Sequence, residues 1–427
     1  SAVRPRDHES AGGGGGMKYL RYSNYRDSED EWIDEIPFHW EVTSNRRIMS
    51  LRKETVGSKS ADFALLSLTL KGIVLRDIES GDGKYPESFD TYQAVRPNDL
   101  VFCLFDMDET PRTVGLSSHF GMVTGAYTVC ECTCKVNPSF VYYYYLSLDY
   151  GKRLRPFYTG LRKVIRKNTF LNIKIPIPDK DEQDAIVTFL DHETAQIDTL
   201  IAKQQQLIEL LQEKRQALIS YVVTKGLNPD APMKDSGVEW LGKVPAHWEV
   251  IRLKKAVVFQ RGHDLPSQNR IEGDVPIVSS SGVSGTHAKA RAKPPGIVTG
   301  RYGTIGDFHL LTMDYWPLNT TLYSISLNGN DARFLRYMLM NLSPLFVMYS
   351  SKSAVPGIDR NDIHRIETVV PPLSEQIEIA QFVDDELTKI AQLITKASCT
   401  IDILIERRTA LISAAVTGKI DVRSLIN

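Results

Sequence analysis

Two stretches of this 427-residue sequence recur, and any fold must place both copies. Residues 32–53 read WIDEIPFHWEVTSNRRIMSLRK and residues 240–255 read WLGKVPAHWEVIRLKK. Both carry Trp, a β-branched residue and Pro, then one residue and His-Trp-Glu-Val, displaced by 208 positions. A longer match joins residues 168–224 to residues 361–417 without gaps at a displacement of 193, with 23 of 57 positions identical. It includes Glu182-Gln183 against Glu375-Gln376. Self-similarity at so long a period means one structural unit used twice. The two displacements differ by 15, so the segments between the matches differ in length, and those segments share little identity. Each copy is a variable globular part followed by a more constant tail.

The tails read as long helices. The first opens after Pro176-Ile177-Pro178, with Asp179 or Asp181 as N-cap, and runs to Gly226, a natural C′ residue. The second opens after Pro371-Pro372, with Ser374 as N-cap, and runs to about Gly418. Apolar residues recur at helical spacing: Leu190, Ile197, Ile201, Ile208, Leu211, Leu218 and Val222 in the first. Their counterparts are Val383, Ile390, Ile394, Ile401, Leu404, Leu411 and Ala415. This is a coiled-coil seam, interrupted by Gln204 and Arg215 in one helix and by Ala397 and Arg408 in the other. At about 1.5 Å per residue each helix is a rod of roughly 60 Å. Its partner is its own repeat, and because a globular segment returns the chain between them an antiparallel pair is the economical arrangement.

The intervening parts mix strands and short helices. Residues 99–105, 127–136, 296–299 and 321–326 read as strands, and residues 140–149 and 332–342 as helices. Glycines punctuate them, at Gly81, Gly83, Gly115, Gly121 and Gly125, then at Gly282, Gly285, Gly300, Gly303 and Gly306. The expected architecture is α+β: two globular α/β domains separated by two long α-helices in an antiparallel coiled coil, with a pseudo-twofold internal repeat. Residues 1–16 (SAVRPRDHESAGGGGG) read as a vector-derived leader before Met17. The expected segments that follow are a globular domain at 17–167, a spacer helix at 168–230, a second globular domain at 231–360, and a second helix with its tail at 361–427.

The net charge of −1, from 51 Lys+Arg against 52 Asp+Glu, averages unlike parts. Residues 17–167 carry +1 and residues 231–360 carry +5, whereas residues 168–230 carry −4 and residues 361–427 carry −3. Positive domains on acidic rods indicate two kinds of partner. The apolar runs fall short of the ~20 residues that span a bilayer, so no membrane association is expected. No signal-peptide pattern opens the chain, and five cysteines make no disulfide framework. A cytoplasmic protein is expected.

Basic charge gathers at the end of the first domain, where residues 151–168 read GKRLRPFYTGLRKVIRKN without an acid. Lys152, Arg153, Arg155, Arg162, Lys163 and Arg166 are candidate DNA contacts there, with Tyr158 and a tight loop at Thr159-Gly160. Lys and Arg neutralise phosphates, and Arg also makes paired hydrogen bonds to guanine in the major groove. In the second domain the candidates are Lys289, Arg291 and Lys293, then Arg301 and Tyr302 in the loop RYGTIG. Ser350, Lys352, Ser353 and Gly357 follow in a loop whose small residues suit close approach to a nucleic-acid backbone. The bland alternative for all of these is a solvated basic surface.

Other motifs carry less. Cys130, Cys132 and Cys134 alternate, which on a strand places three small side chains on one face rather than a zinc site. His39 and His247 lack a catalytic partner at telling spacing and read as structural, with Trp40 and Trp248 anchoring each domain to its core. Asp77, Asp82 and Lys84 only mimic a nuclease pattern. No phosphate-binding GxxxxGK[ST] loop occurs. No Asn/Asp-Pro-Pro-Tyr/Phe segment of the adenine-methyltransferase type occurs either. No metal site and no catalytic residue is expected.

Taken together, the repeated Pro-x-His-Trp-Glu-Val opening, the Arg301–Gly306 loop, the Glu-Gln helix starts and the two long helices resemble the specificity subunit of type I restriction–modification enzymes. The resemblance runs from about residue 32 to residue 420. It departs at residues 101–115 (VFCLFDMDETPRTVG), where the RYGTIG loop has no clear copy. It implies that each globular segment is a target-recognition domain reading half of a bipartite double-stranded DNA site. The helices would space the halves and dock two methyltransferase subunits, with restriction/translocase subunits joining them. Catalysis, and the binding of S-adenosylmethionine, Mg and ATP, would belong to those partners, leaving no cofactor here. A reading from another class is a non-catalytic coiled-coil scaffold whose globular domains bind protein partners; it leaves the positive domains unexplained.

Overall fold

Short strands with every residue buried form the heart of each half. Leu100–Phe102 and Gly296–Gly300 are such strands, apolar on both faces. In the computed structural model, which describes residues 19–76, 88–350 and 357–425, each lies inside a four-stranded antiparallel sheet. The first sheet runs Met49–Leu51, Thr128–Cys132, Leu100–Phe102, Val114–Leu116. The second runs Val258–Arg261, Thr321–Ser326, Gly296–Gly300, Phe308–Leu311, in the same order and sense. A helix packs on the last strand of each: Pro138–Tyr150 on the first, Ala332–Asn341 on the second. Both helices are capped by a side chain, Asn137 accepting from the Ser139 N–H and Asp331 from those of Arg333 and Phe334. The leader, Gly81, Gly83, Asp77, Asp82, Lys84, Lys352 and Ser353 lie outside the described residues.

The repeated opening strand also has one partner in each half. Glu41–Ser44 pairs with Lys174–Ile177, and Glu249–Arg252 pairs with Glu367–Val370, both antiparallel. These ribbons join each globular part to the start of a long helix. The helices are Lys180–Lys225 and Leu373–Val416, the first of 46 residues and so about 69 Å long.

The chain divides into two compact units, one of residues up to 203 together with those from 400, the other of residues 204–399. In the first unit Ile186, Leu190 and Ile197 share a core with Leu411, Ile412, Ala415 and Val416. In the second, Ile219, Val222 and Val223 share a core with Ile379, Ala380 and Val383. The beginning of one helix therefore meets the end of the other in each unit, the antiparallel sense expected from the globular segment that returns the chain. Of the seam's interrupting residues, Ala397 is buried and Arg408 pairs with Asp198 at 2.9 Å. No described helix is long and apolar enough to cross a membrane.

Two local expectations fail. Ser374 is not an N-cap: the helix already begins at Leu373, and the Gln376 N–H donates to the Pro372 carbonyl at 3.0 Å. Pro372 occupies the repeat position of Asp179, whose carboxylate caps the first helix by accepting from the Glu182 N–H at 2.9 Å. Nor do three cysteines share a strand face. The strand ends at Cys132, leaving Cys130 buried and Cys134 exposed in the turn beyond.

Gly226 and Gly418 end the two helices at φ +77° and +71°, and both abut the repeated tryptophan. A Cβ at Gly418 would sit 2.4 Å from Pro37 Cδ. Gly418→Ala should cost about 2–4 kcal/mol, from the left-handed backbone and the overlap together. Urea denaturation should show a lower midpoint with an unchanged slope; an unchanged midpoint would mean the tail shifts freely.

Candidate nucleic-acid interface

Each globular part is fixed to its helix by the same clasp. Trp40 and Trp248 are buried, and their indole N–H groups donate to Glu182 Oε1 at 3.2 Å and Glu375 Oε2 at 3.0 Å. His39 Nε2 lies 2.7 Å from Glu182 Oε2, and His247 Nε2 lies 2.8 Å from Glu375 Oε2. The two histidines are thus structural, through hydrogen bonds to the helix start. The adjacent glutamines bind the other side of the joint. Gln183 accepts from the Asn137 N–H and donates to the Pro178 carbonyl; Gln376 accepts from the Asp331 N–H and donates to the Pro371 carbonyl. Tyr143 then donates to Asp191 at 2.6 Å, and Tyr337 to Asp384. Burial, then the acceptor carboxylate, pushes both tyrosine hydroxyls up, so neither ionises near neutrality.

Beyond the clasp, each unit ties two segments together by an equivalent backbone bond. The Ile165 N–H donates to the Leu104 carbonyl at 2.9 Å, and the Ile358 N–H to the Arg301 carbonyl at 3.0 Å. Ile165 and Ile358 are both buried and stand 193 positions apart. The loop after Leu100–Phe102 is therefore the structural counterpart of the RYGTIG loop, with Phe105 where Tyr302 stands. Arg162 lies over the Phe105 ring at 5.8 Å, and Arg301 over that of Tyr302 at 4.8 Å. A Cβ at Gly357 would sit 2.5 Å from the Tyr302 ring, so this contact requires glycine.

In the first unit the basic segment is partly neutralised from within. Lys152 donates to the Thr110 carbonyl at 2.8 Å and to Asp149 at 3.1 Å. Arg155 pairs with Asp108 at 3.2 Å, and Arg162 makes a forked pair with Asp106, its Nε at 3.0 Å. The hydrogen bond from Arg162 holds the Asp106 carboxyl below its ordinary range. Thr159 and Val164 exchange backbone hydrogen bonds of 2.9 and 3.0 Å, closing a hairpin through Gly160 (φ +72°) and Lys163 (φ +46°). Tyr158 is half-buried, Arg153 lies beside Trp32 and Tyr144, and Arg166 precedes the short helix Lys167–Asn172. Among the described residues Lys163 and Arg166 have no ion-pair partner.

In the second unit Arg301, Tyr302 and Gly357 converge. Ser350 does not join them at the surface: it is buried, its hydroxyl donating to the Val347 carbonyl at 2.7 Å while its carbonyl accepts from the Gly357 N–H. Lys289, Arg291 and Lys293 stand at the opposite end of strand Gly296–Gly300 from Arg301. There Arg291 lies over Trp316 at 5.2 Å, and Lys293 pairs with Asp314 at 2.5 Å. The strand separates two basic groups that run close together in sequence.

Asp106, Asp108 and Leu161 are not among the candidates that the sequence singles out. The acids form a short cluster (DMDE, residues 106–109) far upstream of the acid-free basic run, and nothing in the spacing joins the two. Leu161, fully exposed between Gly160 and Arg162, carried no signal apart from its neighbours. Burial pushes the Cys132 thiol up to about 12, and no cluster of metal-ligating side chains occurs among the described residues.

A topology used twice and a repeated clasp to the long helices make the chain one structural unit built twice, with unlike loops at the tips. The type I restriction modification DNA specificity domain matches residues 126–210 and 245–397, more than half of the sequence. The chain belongs to this family, the non-catalytic specificity subunits of type I restriction–modification systems. It is 35% identical over 104 residues to the type I restriction enzyme MjaVIII specificity subunit of Methanocaldococcus jannaschii, covering 24% of this chain and 23% of that one. With the MjaX specificity subunit of the same organism it shares 25% identity over 276 residues, 61% and 62% of the two chains. The chain thus spans less than two thirds of either relative. The EcoDI specificity subunit of Escherichia coli is 23% identical over 379 residues, 79% of this chain and 82% of that one. Two solved structures share the fold at 15% identity. A chain from work on complex assembly and conformational transition of the type I R-M system covers 89% of this chain and 98% of its own, TM-score 0.70. The HsdS subunit of Thermoanaerobacter tengcongensis covers 90% and 98%, TM-score 0.54.

Proposed function

We propose that the chain reads a bipartite double-stranded DNA site, one half with the loops of residues 17–167 and the other with those of residues 231–360. The observation that carries this reading is the contrast between joint and tip. The clasp repeats residue for residue, while the loops tied at Ile165 and Ile358 share a backbone bond and almost no side chains. Identical joints suit identical partners, and unlike tips suit unlike half-sites. The segments 168–230 and 361–427 space the halves and dock two methyltransferase subunits, to which restriction/translocase subunits add. Those partners supply S-adenosylmethionine, Mg and ATP binding and all catalysis. A chromosomal DNA substrate supports a cytoplasmic assembly.

The DNA-facing set is Arg153, Thr159, Gly160, Lys163 and Arg166 in the first domain, with Tyr158 packed on the core beneath them, and Arg301, Tyr302 and Gly357 in the second. Lys152, Arg155 and Arg162 brace the first loop pair through their acids. Lys289, Arg291 and Lys293 form a separate phosphate-binding group. Phosphate contacts release counterions, so Lys163→Ala should flatten the dependence of log affinity on log salt by about 0.9, one phosphate's worth. Fluorescence anisotropy on the methyltransferase complex and its site, across a series of salt concentrations, tests this. An unchanged slope would move the DNA face away from this hairpin.

A further inference from the structure

We infer that Leu161 is a specificity-determining residue that makes apolar contact with a thymine methyl group in the major groove. The inference rests on the DNA-reading role proposed above and names one contact within it. Leu161 is wholly exposed, the most exposed large apolar side chain among the described residues. It stands at the tip of a hairpin that is braced, not loose. Thr159 and Val164 exchange two backbone hydrogen bonds, and the Thr159 hydroxyl donates to the Val164 carbonyl at 2.9 Å. From below, the Asp106 N–H donates to the Arg162 carbonyl at 2.8 Å while the Asp106 carboxylate holds the Arg162 guanidinium. The leucine is therefore presented at a fixed position.

Its surroundings select the partner. Lys163 stands two positions from Leu161 and Arg166 follows just beyond the base of the hairpin, both without an ion-pair partner among the described residues, which favours a polyanion over an apolar protein face. Duplex DNA presents one apolar group at its base edges, the C5-methyl of thymine, and presents it in the major groove. That groove, about 12 Å wide, admits a two-stranded ribbon, whereas the minor groove at about 6 Å does not. Arg162, spent on Asp106, orients the hairpin and is a positioning residue.

The test compares thymine with uracil, which lacks only the methyl, at every thymine of the recognised sequence. It uses the methyltransferase complex carrying wild-type chain or Leu161→Ala, a change at a solvated position that leaves folding intact. At one thymine, wild type should lose about fourfold in affinity on uracil substitution, the contribution of one buried methyl group, while Leu161→Ala loses nothing further. Equal sensitivity of the two proteins at every position overturns the inference, with the DNA-reading role untouched. A complex that shows no sequence preference at all overturns the role and the inference together.

Discussion

Trp248→Ala should destabilise the protein by about 3–5 kcal/mol, and Trp40→Ala by a similar amount, the cost of emptying a buried indole site. Both rings are almost wholly enclosed, each lies against a helix-ending glycine, and each N–H is satisfied by a glutamate on the long helix. Urea denaturation followed by far-ultraviolet circular dichroism reads the effect as a lower midpoint. Glu182→Leu separates packing from polarity. It keeps the indole in place but leaves its buried N–H without an acceptor, which costs about 1–3 kcal/mol. If Trp40→Ala and Glu182→Leu both leave the midpoint where it was, the clasp is an incidental contact and the repeated motif has another purpose.

Exchange of residues 17–167 for the corresponding part of another family member should change one half of the recognised sequence and leave the other intact. The discrimination available is large, since each mismatched base pair costs about 1–3 kcal/mol and several pairs change at once. Methylation of the old site should therefore fall by roughly three orders of magnitude or more, and the new hybrid site should take its place. The physical ground is the division of bonds. Every described hydrogen bond from the Thr159–Val164 hairpin stays within its own unit, and so do those of Arg301, Tyr302 and Gly357. A change in both halves would mean the readers are not independent.

The repeat and the long helices were legible because each is written in spacing: apolar residues at helical period, Pro before the start and Gly after the end. Their antiparallel sense followed from the globular segment that returns the chain between them. The strands 296–299 and 321–326 were legible for the same reason, being short apolar runs between turns. Chemistry between distant residues was not. Nothing in Glu182-Gln183 announces that its carboxylate receives Trp40 and His39, 142 and 143 positions away. The equivalence of Phe105 with Tyr302 was hidden because it resides in a backbone bond, Ile165 to Leu104, that places no demand on side-chain identity. Charge counting found the basic hairpin but overstated its reach, because Asp106 and Asp108 come back to it through the fold. Likewise Lys293 and Arg301, close in sequence, are held apart by the strand between them.

Under the proposed function, one chain confers a split DNA specificity on partners that carry the chemistry. The decisive experiment is to sequence the DNA methylated by a complex of this chain with its methyltransferase subunits. A single motif should emerge, of two defined half-sites separated by a fixed run of unspecified bases. An unsplit motif, or methylation without sequence preference, would contradict it.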